Sequence, residues 1–125
     1  MTGQRFENQS AIITGGARGI GLAIAQRLES EGARVSLWEI DPAAVEEARS
    51  TFKNPDNVHS CTVNVGDPAS VDAAGKKTIA DLEKVDVMVN SAGVAGANAL
   101  VKEYDVEEWQ KVIDINLNGV FYCCR

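Results

Sequence analysis

Thr14-Gly15-Gly16-Ala17-Arg18-Gly19-Ile20-Gly21 is the stretch on which the reading of this chain turns. It joins a short apolar run, Ser10-Ala11-Ile12-Ile13-Thr14, to a segment of helical period. An apolar run of that length ending in glycines reads as a buried strand. From Gly19 to Ser30 the apolar positions Ile20, Ala23, Ile24 and Leu28 recur at helical spacing, which predicts one buried helix face, and Gly32 supplies the stop. A helix N-terminus leaves backbone N–H groups unpaired and carries about half a positive charge. Glycines permit positive φ there and let a pyrophosphate approach the backbone. A phosphate loop of the Gly-x-x-x-x-Gly-Lys type is disfavoured, because Gly16 and Gly21 lead into Leu22 and not into Lys.

The rest of the chain repeats this alternation. Arg34 to Trp38 is a second strand. Asp41-Pro42 then pairs a favoured N-cap with proline at the first helical position, and Ile40 and Val45 stand where a hydrophobic staple would sit. That helix is predicted to reach about Phe52, before the turn cluster Asn54-Pro55-Asp56-Asn57. Val58 to Val65 is a third strand, and Asp67-Pro68 opens a helix to about Leu82 with Gly75 as a weak spot inside it. Val85 to Val89 is a fourth strand, and Asn90 to Tyr104, rich in Gly and Ala, is a loop. Asp105 and Glu108 form a capping box for a last helix that runs to Arg125. The order is β-α-β-α-β-α-β-loop-α, with strands that are nearly all apolar. It predicts an α/β fold, a doubly wound parallel sheet covered by helices, as one domain over 1–125.

Composition narrows the function classes. The chain has 125 residues, 45% of them apolar and 24% charged, which excludes a disordered or low-complexity polymer. Its 12 Lys+Arg against 18 Asp+Glu give a net charge of −6, and no basic run marks a nucleic-acid or anionic-membrane partner. No apolar run approaches the roughly 20 residues of a membrane span. Met1 to Asn8 has no long apolar core, so no secretory signal is expected. Cys61, Cys123 and Cys124 follow no framework spacing and are read as reduced thiols of a cytoplasmic protein. His59, the one histidine, cannot build a metal site, and Glu103, Asp105, Glu107 and Glu108 read as a solvated helix start, so no metal is expected. Trp38 and Trp109 are read as packing groups.

The second strand supplies a further signal. In a βαβ unit that binds a dinucleotide, an acid about 20 residues past the glycines accepts hydrogen bonds from the adenosine ribose. Glu39 stands there. Facing the ribose, it would repel a 2′-phosphate, which favours NAD. Arg18 argues for NADP, because a guanidinium beside the turn suits that phosphate. Glu39 carries more weight, since an unpaired carboxylate facing a phosphate is costly, so NAD is the first choice and NADP the second.

Three segments together resemble the short-chain dehydrogenase/reductase family. They are Thr14-Gly15-x-x-x-Gly19-x-Gly21, Asn90-Ser91-Ala92-Gly93 and Asp114-Ile115-Asn116-Leu117-Asn118-Gly119-Val120-Phe121. They occur in the family's order and separations and cover essentially the whole chain. The resemblance implies a Rossmann-type domain, cut inside its fifth helix, of an oxidoreductase that moves hydride reversibly between a nicotinamide cofactor and an alcohol or ketone. The substrate classes it leaves open include sugars, hydroxy acids, 3-oxoacyl thioesters and steroids. It implies that Gly15, Gly19, Ile20 and Gly21 shape the pyrophosphate turn, and that Asn64 and Val65 lie beside the adenine. Asn90, Ala92 and Gly93 would line the nicotinamide-ribose side, with Asn90 also tying neighbouring strands together. Asn116 would match the catalytic asparagine, holding a water in a proton relay through a local kink of its helix. It also implies a homo-oligomer, commonly a tetramer.

There are departures. Asn64 replaces the family's usual Asp, and Ser91 replaces a second Asn. The family's proton donor is a Tyr followed four residues later by Lys; here Tyr104 is followed by Glu108, Tyr122 has no such partner, and no Tyr-x-x-x-Lys occurs. The chain alone is therefore expected to be inactive, and the alternative reading is a non-catalytic dinucleotide-binding module. A methyltransferase with the same glycine turn is disfavoured by Asn90-Ser91-Ala92-Gly93 and Asn116.

Overall fold

A computed structural model describes residues 3–125; Met1 and Thr2, the start of the segment read for a signal, lie outside the described residues. Four parallel strands, β1 (Ser10–Thr14), β2 (Arg34–Glu39), β3 (Val58–Thr62) and β4 (Val87–Asn90), form one sheet in the order β3-β2-β1-β4. The chain winds from β1 to β3 in one direction and then returns to place β4 on the far side of β1. The direction therefore reverses between β1 and β4, and a crevice opens there beyond the strand ends.

Side-chain alternation along β1 and β2 feeds two cores. Ala11, Ile13, Val35 and Leu37 pack with helices α1 (Gly19–Ser30) and α2 (Pro42–Arg49) on one face. Ile12 and Trp38 pack with Cys61, Val63, Val71 and Ala74 on the other, under helix α3 (Pro68–Leu82). Trp38 is a packing group, its indole N–H donating to buried Thr78 Oγ1 at 3.1 Å. His59 is structural too, bonded to Ser36 Oγ and Asp81 Oδ2, both at 2.8 Å.

Several predicted boundaries shift for identifiable reasons. Helix α2 ends at Arg49, short of Phe52, and β3 ends at Thr62, short of Val65. Beyond Thr62 the chain turns away, because Asn64 Oδ1 accepts from Gly66 N and Ser70 Oγ accepts from Asn64 N, both at 3.0 Å. Strand β4 begins at Val87, not Val85, and is only half-buried, since it forms an edge of this sheet. The predicted helix face is rotated: α1 buries Gly21, Ala25, Leu28 and Glu29, whereas Ile20 is 77% exposed. The cause is Gly21, where a Cβ would lie 2.4 Å from the Gly15 carbonyl oxygen, so the helix must turn its bare residue inward. The staple does not form; Ile40 is exposed while Val45 is buried.

Asp41 and Asp67 cap α2 and α3 as their Asp-Pro pairs predict, accepting from Ala43 N and Ala69 N at 3.0 Å. Asp105 caps helix α4 (Val106–Ile113) through Glu107 N at 3.3 Å, and among the described residues Glu108 makes no return bond, so only half of the capping box forms. The last predicted helix is divided: after α4 the chain makes a π-turn, Asp114–Asn118, and continues as α5 (Gly119–Cys124). The long loop before it contains a short 3₁₀ turn, Val101–Glu103.

The strand starts are tied at the opposite rim. Ser10 N donates to Asp86 Oδ2, and Asp86 N donates back to Ser10 O, both at 2.8 Å. The Ser10 amide first, then Lys84, hold the Asp86 carboxyl below its usual range. At the same rim Glu31, whose side chain is fully buried, binds both Arg5 and Arg27. Among the described residues no helix is long and apolar enough to cross a membrane.

Candidate functional site

The glycine turn follows directly from the end of β1. Gly15 takes φ +60° and Gly19 takes φ +55°, in the region that L side chains rarely adopt. The two positions differ in surroundings. A Cβ on Gly15 would lie 3.0 Å from Ala92 Cα, so this glycine lets the β1 and β4 loops touch. A Cβ on Gly19 would meet nothing within 4 Å, so this glycine faces open space. Helix α1 starts at that point with Arg18 as N-cap and no side-chain cap, unlike α2, α3 and α4, each of which has an aspartate there. Its first amides thus have no side-chain acceptor, and their partial positive charge is unmatched beside the open space at Gly19.

That space is one side of a groove of about 850 Å³ across the strand ends. Of the residues singled out from sequence, Gly15, Arg18, Gly19, Glu39, Asn64, Val65, Ala92 and Gly93 line it. Four do not. Gly21 packs behind the turn, and Ile20 points to solvent. Asn90 borders a small separate crevice with Thr14 and Gly119. Its side chain donates to Cys124 Sγ at 3.4 Å and so links β4 to α5. Asn116 lies in the π-turn and grips the loop after β4: its Oδ1 accepts from Val94 N at 2.8 Å and its Nδ2 donates to Val94 O at 2.7 Å. A Cβ at Gly93 would lie 3.3 Å from Asn116 Oδ1, so a bare residue there keeps this grip open.

Charge in the groove is mixed. Glu39 is half-buried, and its Oε2 accepts from Ile40 N at 3.0 Å. The Arg18 guanidinium does not stand free; it pairs with Asp41 Oδ2 at 2.9 Å. Asn64 uses its Oδ1 on Gly66 N, so its Nδ2 is the atom left to face a ligand. Burial pushes the Cys123 thiol up to about 11, which keeps it protonated at neutral pH. Among the described residues no cluster of His, Cys, Asp or Glu could hold a metal.

Two contributions escaped the sequence reading. Thr14 Oγ1 accepts from both Ser91 N and Ala92 N at 3.0 Å, clamping the β4 loop against the turn. Glu107, Gln110, Lys111 and Asp114 supply the far wall. Their helical spacing is a signal that could have marked one face of α4 as groove-lining.

Residues 9–125 match the family model described as short chain dehydrogenase. The chain belongs to that family. Among its relatives is the 2-dehydro-3-deoxy-L-rhamnonate dehydrogenase (NAD(+)) of Sphingomonas sp. (strain SKA58), 43% identical over 121 residues that cover 97% of this chain and 47% of that protein. Another is the 3-oxoacyl-[acyl-carrier-protein] reductase FabG of Escherichia coli (strain K12), 38% identical, covering 93% of this chain and 46% of that protein. A crystal structure of NAD+-bound xylitol dehydrogenase superposes with a TM-score of 0.89 at 29% identity, over 96% of this chain and 46% of that one. The chain spans about half the length of the curated relatives it matches. Its parallel sheet with helices on both faces is the Rossmann-type arrangement of these short-chain dehydrogenases.

Proposed function

We propose that this chain forms the dinucleotide-binding part of an NAD(H)-dependent oxidoreductase acting on a small alcohol or ketone. The observation that carries the reading is the uncapped start of α1 beside Gly19, with open space opposite, on the rim of the groove. Amides at Gly19, Ile20 and Gly21 bind the pyrophosphate, Glu39 takes the adenosine ribose hydroxyls, and Asn64 and Val65 flank the adenine. Ala92 and Gly93 line the nicotinamide-ribose side, with Asn90 supporting them from behind. When bound, the nicotinamide supplies hydride chemistry.

The chain's own residues bind and orient. Thr14 fixes the Ser91–Ala92 backbone, and Asn116 fixes Val94, so the wall beside the reacting ring is held from two directions. Both amide atoms of Asn116 are engaged by Val94, so its part in a proton relay falls to the backbone of its wide turn, where the regular hydrogen-bond ladder is interrupted. The proton donor implied by the family has no counterpart in these residues, and the chain alone binds without turnover. The two named relatives and the xylitol dehydrogenase support a sugar acid, 3-oxoacyl or polyol substrate class. The homo-oligomer rests on the resemblance, and the cytoplasmic placement on reading Cys61, Cys123 and Cys124 as reduced thiols.

Titration with NADH, followed by nicotinamide fluorescence, tests the reading. Saturable binding is expected. Gly19→Ala places a methyl group in the cradle and is expected to weaken binding at least about tenfold, while the strain of positive φ costs only about 1–2 kcal/mol of stability. Equal NADH affinity in Gly19→Ala would overturn the assignment of the pyrophosphate to this turn.

A further inference from the structure

The ion pair at the groove mouth points to a second determinant of cofactor choice. Arg18 lines the groove from the start of α1, and Glu39 and Ile40 line it from the end of β2. Two residues past Glu39, Asp41 divides its carboxylate: Oδ1 accepts from Ala43 N at 3.0 Å and caps α2, while Oδ2 receives the Arg18 guanidinium at 2.9 Å. Arg18, the cation that lines the groove beside Glu39, is therefore held by a carboxylate at the start of the neighbouring helix.

We infer that Asp41 is a specificity-determining residue, which keeps Arg18 away from a 2′-phosphate and so disfavours NADPH. The inference rests on the dinucleotide reading of the groove. A phosphate dianion and a carboxylate compete for the same planar donors. Glu39 repels the phosphate directly; Asp41 acts by occupying the side chain that would attract it. The cap anchors Asp41, because Oδ1 is fixed to the first turn of α2, so Oδ2 is presented at a constant place. The pair is also largely solvent-exposed, with 68% of the Arg18 side chain and 41% of the Asp41 side chain accessible, so the clamp is a modest one.

The chemistry provides a clean variant. Asn is as good an N-cap as Asp, so Asp41→Asn retains the bond from Ala43 N while removing the charge that holds Arg18. Asp41→Asn is expected to tighten NADPH binding about two- to fivefold at low salt, the range of an exposed pair, with NADH affinity changed less than about twofold. The same substitution in an Arg18→Ala background is expected to give no tightening. Unchanged NADPH affinity in Asp41→Asn would overturn the inference. So would tightening that persists without Arg18, since it would mean that Asp41 acts through simple repulsion. A parent chain that is folded by circular dichroism yet binds neither NADH nor NADPH would overturn the dinucleotide reading itself. NADH binding with no Asp41 effect overturns only the clamp.

Discussion

Thr14 is buried, and its single hydroxyl receives two backbone amides from a loop 77 and 78 residues away in sequence. Replacing it by Val keeps the shape and removes the acceptor, which leaves both amides without their partner. Thr14→Val is expected to lower stability by about 2 kcal/mol in urea denaturation and to weaken NADH binding through a loosened Ser91–Gly93 wall. At this scale the glycine spacing was legible in the sequence, and the reasons for it were not. Gly15, Gly19 and Gly21 look alike in a motif, yet one admits a neighbouring loop, one faces open space and one sits under a carbonyl oxygen. Thr14 stands at the head of the same motif, but its role depends on partners that only the folded chain brings near. Arg18 shows the same limit in reverse: its charge was visible, and its capture by Asp41 was not.

Elements were easier to read where local chemistry is decisive. The two Asp-Pro pairs cap α2 and α3 in the structure because the side-chain acceptor and the missing proline N–H both act within one turn. Strand and helix ends that depend on distant groups moved, as at Asn64, where an Asx turn stops β3 early. The kink at Asn116 followed from the family resemblance rather than from periodicity, and it takes the form of a π-turn. Gly75 lies inside an unbroken α3, where an added Cβ would meet nothing within 4 Å. Gly75→Ala is therefore expected to stabilise the chain by about 0.5–1 kcal/mol, raising its melting temperature without altering NADH affinity. A loss of stability would show that this stretch of the helix is held by something other than backbone entropy.

Across the whole molecule, the doubly wound order was legible because strand, helix and turn signals agree at every crossover. The start of β4 at Val87 was not, since an apolar run does not show which of its residues pair with a neighbouring strand. Glu31 gives the molecule an acid-sensitive tie between its N-terminal segment and the end of α1. Hydrogen bonds from Arg5 and Arg27 hold its carboxyl down at about 2, against an ordinary value of 4.5. A depressed carboxyl contributes stability above its unfolded pKa and loses it as pH falls toward the folded one. Melting temperature is expected to drop between about pH 4.5 and pH 2, and Glu31→Gln is expected to flatten that part of the profile. An identical pH profile in Glu31→Gln would assign acid lability to other carboxyls. These ties, the Ser10–Asp86 pairing and the exposed connection at residues 53–56 all gather where the strands begin, while the groove opens where they end. Because every strand runs the same way, the molecule has a working side and a mounting side. A fluorophore or solid support attached through Lys53 would leave the entrance facing free solution, so a tethered chain would still report dinucleotide capture.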